Sequence, residues 1–234
     1  MVKTKAGSEA FASEQGSIFF YIILGVALFA SLSFVVTRST RSTSVSSMSE
    51  RQADILATDL ITYSKKVENS VNYLLQRGCS ESQLSFENSV VSGYENIVDP
   101  KGDNTCHIFH SDGAGMSWQL PPDGVSDKQY TFNGRNVISG IGSSCFGSSR
   151  CTELTLFLEN VDVAVCRAVN RIVKLGTADI PVDANNEFSE SHKFNGSYDS
   201  NSGINDAANF IDGEYTLCVQ EGNNYHFYHV LLAR

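Results

Sequence analysis

The sequence predicts an α+β protein. A long N-terminal helix, greasy all round in its first half and amphipathic in its second, packs on a small antiparallel sheet together with a second helix. Three observations predict it. Residues 17–36 carry no charge at all. Leu56, Leu60, Tyr63, Val67, Val71 and Leu74 recur at steps of three and four, the period of one helix face. The chain closes on two alternating, aromatic-rich stretches, 214–220 and 225–233, joined by Gly222, Asn223 and Asn224, which is a hairpin pattern.

The apolar stretch comes first. At 1.5 Å per residue, a 20-residue helix spans about 30 Å, the thickness of a bilayer core, so residues 17–36 predict a membrane-spanning segment. Two other readings suit the same residues. One is a buried core helix. The other is a cleaved secretory signal, for which "ALFASLS" supplies small residues. Lys3 and Lys5 before the stretch nearly balance Arg38, Arg41 and Arg51 after it, so flanking charge leaves the orientation open. Gly25, Ala27, Ala30 and Ser31 are small enough to let a second helix approach closely.

Residues 37–47, "TRSTRSTSVSS", are rich in Ser and Thr and weaken any helix running through them. The period resumes at Met48 and stops at Gly78, a fitting C′ residue. One helix over 17–77, weakened at 40–47, is the simplest expectation. After it, turn residues dominate up to about 127, with short strands predicted at 83–86, 106–110 and 116–119. Residues 130–133 and 136–138 read as a hairpin closed at Gly134. A second amphipathic helix is predicted over 152–174, ended by Gly176, from the stripe Leu154, Phe157, Leu158, Val161, Val165, Ala168, Val169 and Ile172. Residues 178–206 form a polar surface loop in which Asn195-Gly196-Ser197 reads as a chance sequon match.

Composition bounds the function. The chain has 234 residues, 18% of them charged, and a net charge of −9. That disfavours nucleic acid as a partner, because phosphate binding needs a basic face. All six cysteines, Cys79, Cys106, Cys145, Cys151, Cys166 and Cys218, follow the apolar stretch. An even number beside a membrane signal predicts disulfides in an oxidising compartment; metal ligation is the competitor, and no C-x-x-C exists. Cys145 and Cys151 bracket a short loop and are expected to pair. The other four allow three pairings. Cys166 with Cys218 would staple the second helix to the terminal hairpin, and Cys79 with Cys106 would tie the end of the long helix to the strand after it. Sequence leaves the connectivity open.

No site stands out. Cys106, His107 and His110 form the most ligand-like cluster, but strand geometry turns the two histidines to opposite sides and no fourth ligand is evident. His226 and His229 likewise face apart. The glycine-rich "SDGAGMSW" lacks a phosphate-loop context, and "SGIGSSCFGSS" lacks a nucleophile elbow. The expectation is no enzyme, no metal and no cofactor.

A short leader ending in Gly16, an apolar helix, its amphipathic continuation and a small disulfide-bearing head together resemble the type IV pilin and type II secretion pseudopilin superfamily. Residues 14–77 carry the resemblance specifically. It implies cleavage after Gly16, with Ser17 as the first mature residue. It divides the chain into a leader (1–16), an assembly helix (17–77) and an α+β head (78–234). Tyr21 stands where the family usually carries a glutamate that pairs with a neighbouring subunit's amine, so the resemblance implies a minor or atypical subunit. It further implies a structural subunit of a cell-surface filament or secretion pseudopilus, held in the inner membrane with a periplasmic or extracellular head. The partners would be like subunits or other pilin-like proteins, and the lipid bilayer before assembly. Tyr21, Gly25, Ala27, Ala30, Leu56, Leu60, Tyr63 and Val67 would form the assembly helix. The competing reading is a membrane-anchored ligand-binding or sensory module that does not polymerise, with Trp118, Tyr130, Tyr225 and Tyr228 lining its site.

Overall fold

A computed structural model of the chain describes residues 20–29, 48–96, 98, 103–142, 151–175, 179–183, 192–199 and 202–234. The chain divides into two units, residues 1–47 and 48–234.

In the first unit, residues 20–29 form a helix, α1. Its eight large apolar side chains, from Phe20 to Phe29, are 47–75% exposed. Its ten described residues rise about 15 Å. Among the described residues no helix is long and apolar enough to cross a membrane. This overturns the membrane-spanning first half of the expected helix, and with it the inner-membrane placement that rested on that span.

The second unit opens with helix α2, Glu50–Gln76. It is not the tail of a single long helix. Ser49 is extended (ψ 144°) and its hydroxyl accepts the Gln52 N–H, so the helix has its own N-cap. The physical reason is local: a serine cap satisfies a terminal N–H that helix continuation would otherwise have used. The other end follows expectation. Gly78 takes φ 92°, the Cys79 N–H bonds the Leu74 carbonyl and the Gly78 N–H bonds the Leu75 carbonyl, which is the Schellman stop.

Among the described residues the sheet has five strands: β1 (Thr131–Ile138), β2 (Glu153–Leu158), β3 (Ser202–Ile204), β4 (Thr216–Glu221) and β5 (Asn224–Leu232). Their order is β3-β1-β2-β5-β4. Three pairings are antiparallel and β1–β3 is parallel, so the sheet is mixed rather than purely antiparallel. The terminal hairpin turns on Gly222 and Asn223. Helix α3, Val163–Ile172, is capped by Asp162, whose carboxylate accepts the Ala164 N–H.

Several expected elements change type. Residues 153–158 are the central strand, not the first half of a helix. Every one of them is buried, because β2 is covered on both faces and has lost the alternation that marks a strand. The remaining helix stops at Lys174 (φ 61°), where the Leu175 N–H reaches the Asn170 carbonyl, before Gly176 is reached. The hairpin expected at Gly134 is a single strand with a bulge between Asn133 and Asn136. The strands expected at 83–86 and 106–110 reduce to one bridge, Ser85–His107, beside a 3-10 turn at Glu81–Gln83, and 116–119 is not a strand.

The two sheet faces bury different cores. Leu154, Leu156, Leu158, Phe227 and Leu231 meet α2 and α3. Phe157, Leu217, Val219, Tyr228 and Val230 meet Ile138, Ile141, Ile204 and Ile211 on the other side. Disulfides join Cys79 to Cys106 and Cys166 to Cys218. Cys151 is disulfide-bonded too, while Cys145 lies outside the described residues.

Candidate functional site

The residues expected to form one assembly helix separate into two sets. Tyr21, Gly25 and Ala27 lie on α1 and are exposed, and a side-chain atom added at Gly25 would meet nothing within 4 Å. Leu60, Tyr63 and Val67 are buried in the core of the second unit, and Leu56 packs against that core. Their stripe covers the sheet of their own chain. What α2 leaves exposed is mostly polar, with Ile55 and Tyr73 as the large apolar exceptions. Gly16, Ser17 and Ala30 lie outside the described residues.

The Cys106–His107–His110 cluster does not assemble a ligand set. Cys106 is consumed in its disulfide, and the two imidazole centroids are 6.2 Å apart, edge to face. Among the described residues no group of three His, Cys, Asp or Glu side chains converges on a metal position. Tyr130 and Tyr228 fill cores, and Tyr130 stacks on Tyr63 at 4.6 Å between centroids, while the partly buried Trp118 sits edge-on to Phe109 and Phe132. Tyr225 packs partly buried against the same core.

His226 and His229 do face opposite sides, as strand geometry requires. His226 lies 3.5 Å from Glu221. His229 faces α2 and belongs to a row of polar groups that no sequence pattern announces. Its Nε2 lies 2.9 Å from Glu68 Oε2, and its Nδ1 lies 2.6 Å from the Thr216 hydroxyl. Lys65 Nζ reaches the same Glu68 oxygen at 2.7 Å. The hydrogen bond from His229, and secondarily that from Lys65, hold the Glu68 carboxyl down at about 2. Burial lowers the His229 pKa below its ordinary value. A neutral imidazole therefore gives its Nε2 proton to Glu68 and accepts from the Thr216 hydroxyl at Nδ1. The row ties α2 to the β4–β5 hairpin across 161 residues of sequence. Asn170 does the same for α3: its amide both accepts the Cys218 N–H (2.8 Å) and donates to the Cys218 carbonyl (2.9 Å), one turn from the Cys166–Cys218 bond.

A buried acid, Glu153, lies on β2. Glu153 Oε2 accepts the Ile138 N–H at 2.9 Å, and burial pushes its carboxyl up to about 7.

Two cavities of about 180 Å³ open on the second unit. One runs beside α2 between Asp59, Lys66, Gln119 and Tyr130. The other lies over the β1 bulge and collects Arg135, His192 and Lys193. Against known proteins, the chain matches no family model, no curated protein and no solved structure.

Proposed function

We propose that the chain is a pilin-like structural subunit that assembles with like subunits through its N-terminal apolar helix. One observation supports this above the others: α1 presents eight large apolar side chains, each 47–75% exposed. Contiguous apolar surface of this kind marks an interaction site, since water penalises it by roughly 25 cal/mol per Å². The described helix contains no charged residue, so a second copy of the same helix can cover it with no desolvation penalty for an ion. Gly25 and Ala27 let two such helices approach closely. The disulfide-bonded second unit, with its own complete core, is what each subunit would display.

Sedimentation and negative-stain microscopy of the full chain test the reading. The wild-type protein is expected to form large assemblies, and Ile23→Asp is expected to leave monomers whose second unit melts at an unchanged temperature. A wild-type chain that stays monomeric, or an Ile23→Asp variant that assembles equally well, refutes it.

A further inference from the structure

We infer that the cavity over the β1 bulge binds a small oxyanion, a phosphate or carboxylate group, on the guanidinium of Arg135. The bulge is built from buried polar groups. The Asn133 side-chain oxygen accepts from the Arg135 N–H (3.3 Å), Asn136 Nδ2 (3.2 Å) and Thr155 Oγ1 (3.1 Å). This network fixes the two bulged residues, Gly134 and Arg135, which stand opposite the one residue Leu154 of β2. A strap, residues 192–199, lies across them. It is fastened at one end by the Phe194 N–H on the Phe132 carbonyl (2.8 Å) and at the other by the Asp199 N–H on the Gly134 carbonyl (3.2 Å). Gly134 has no room for a side chain: an added carbon would come within 2.7 Å of the Tyr198 ring and 3.1 Å of the Phe194 ring. The cavity between bulge and strap is thus set by the backbone.

Its charge runs against the composition. In a chain of net charge −9, the described residues of this wall include Arg135 and Lys193, with His192 beside them, against one carboxylate, Asp199. Lys193 already donates to the Ser92 carbonyl and lies over the Tyr94 ring, so it contributes charge more than hydrogen bonds. Arg135 has the donors to spare. Its side chain is only 14% exposed, yet Asp199, its ion-pair partner among the described residues, is 65% exposed and 3.3 Å away at Nη2. A solvated carboxylate at that distance compensates little of the guanidinium's charge. The Arg135 Nε–H is buried and meets no acceptor among the described residues. That nitrogen is closed to solvent, so an anion in the cavity would be met by the Nη groups, whose N–H donors match a pair of anion oxygens. A volume of about 180 Å³ admits phosphate or a short carboxylate.

Thermal melting of the full chain, titrated with sodium phosphate or sodium acetate and with sodium chloride at matched ionic strength as control, tests the site. A saturable rise in melting temperature with phosphate or acetate, absent with chloride, is expected, and whichever anion gives it names the oxyanion class. Arg135→Gln should weaken the fitted affinity at least tenfold. Asp199→Asn should tighten it several-fold, because it removes the competing carboxylate. The inference is overturned if neither anion saturates, if chloride does as well, or if Arg135→Gln binds like the wild type. Should Arg135→Gln fail to fold, Asp199→Asn decides alone, and unchanged or weaker binding in that variant overturns the site. None of these outcomes depends on assembly through α1.

Discussion

Helices α1 and α2 are both written in apolar residues, and they use them in opposite ways. α2 places Ala53, Ala57, Leu60, Tyr63, Val67, Val71 and Leu74 on one stripe and buries all seven beneath its own chain's sheet and loops. α1 is apolar on every side, and each of its described residues is exposed. The difference teaches that hydrophobic content and hydrophobic pattern answer separate questions. A stripe fits one partner surface, and here that surface lies in the same chain. A helix without a polar face has no preferred side, and one sheet cannot cover it.

Substitutions in the two helices should therefore have opposite readouts. Leu60→Ala, at a fully buried position, should destabilise the second unit by about 2–5 kcal/mol through lost transfer energy and a cavity, measured by urea unfolding. The same measurement on Ile23→Asp should show no change. If Leu60→Ala were silent and Ile23→Asp destabilising, the division of labour between the helices would be wrong.

The pH dependence sharpens the contrast, because the α2 face carries the titrating row and α1 carries none. His229 has a folded pKa below its unfolded value of 6.5, so its contribution is complete above that pH and fades as pH falls through it. Glu68 works in the same direction lower down: its stabilisation is present above 4.5 and is lost as pH falls towards 2. Glu153 opposes them. With a folded value of about 7 it stabilises below 4.5, and that stability is lost as pH rises to 7. Between 4.5 and 6.5 the effects offset, and below 4.5 the loss at Glu68 takes over. Urea midpoints at pH 7, 5.5, 4 and 3 should be flat at first and then fall. Glu153→Gln removes the opposing member, so its midpoint should fall from pH 6.5 downward. A Glu153→Gln profile parallel to the wild type would exclude this assignment.

The smallest effect concerns how helices end. α2 stops at a glycine, while α3 stops at Lys174 in the left-handed region. Lys174→Gly should raise stability by about 0.5–1 kcal/mol, read from the same urea midpoints. A loss would mean that the lysine side chain contributes more than its backbone strain costs.

Legibility followed the range of the interactions. The stripe and the glycine stop of α2 were readable because both are local properties; its start was not, since the helix was expected to run on from residue 17 and the Ser49 cap begins it afresh. The β4–β5 hairpin was readable because alternation and a Gly-Asn turn lie within about twenty residues. The strand β2 was misread because Leu154, Phe157 and Leu158 fit a helical period as well as a strand buried on both faces. The cationic cavity drew no attention: Arg135 sat in what read as a hairpin turn, and His192 and Lys193 in what read as a solvated loop.

By itself the sequence determined that an uncharged apolar segment precedes an amphipathic helix ended at Gly78, and that the chain finishes in a hairpin. Each of these depends on residues a few positions apart, whose periodicity and turn chemistry act without help from the rest of the molecule. Only the tertiary structure decided that 153–158 is a strand, that Cys79 bonds Cys106 while Cys166 bonds Cys218, and that Glu68 meets His229 and Arg135 meets Asp199. The reason is physical. A local pattern sets which way side chains point, but the partner they meet is chosen by the burial of whole faces, and that choice joins residues far apart in the chain.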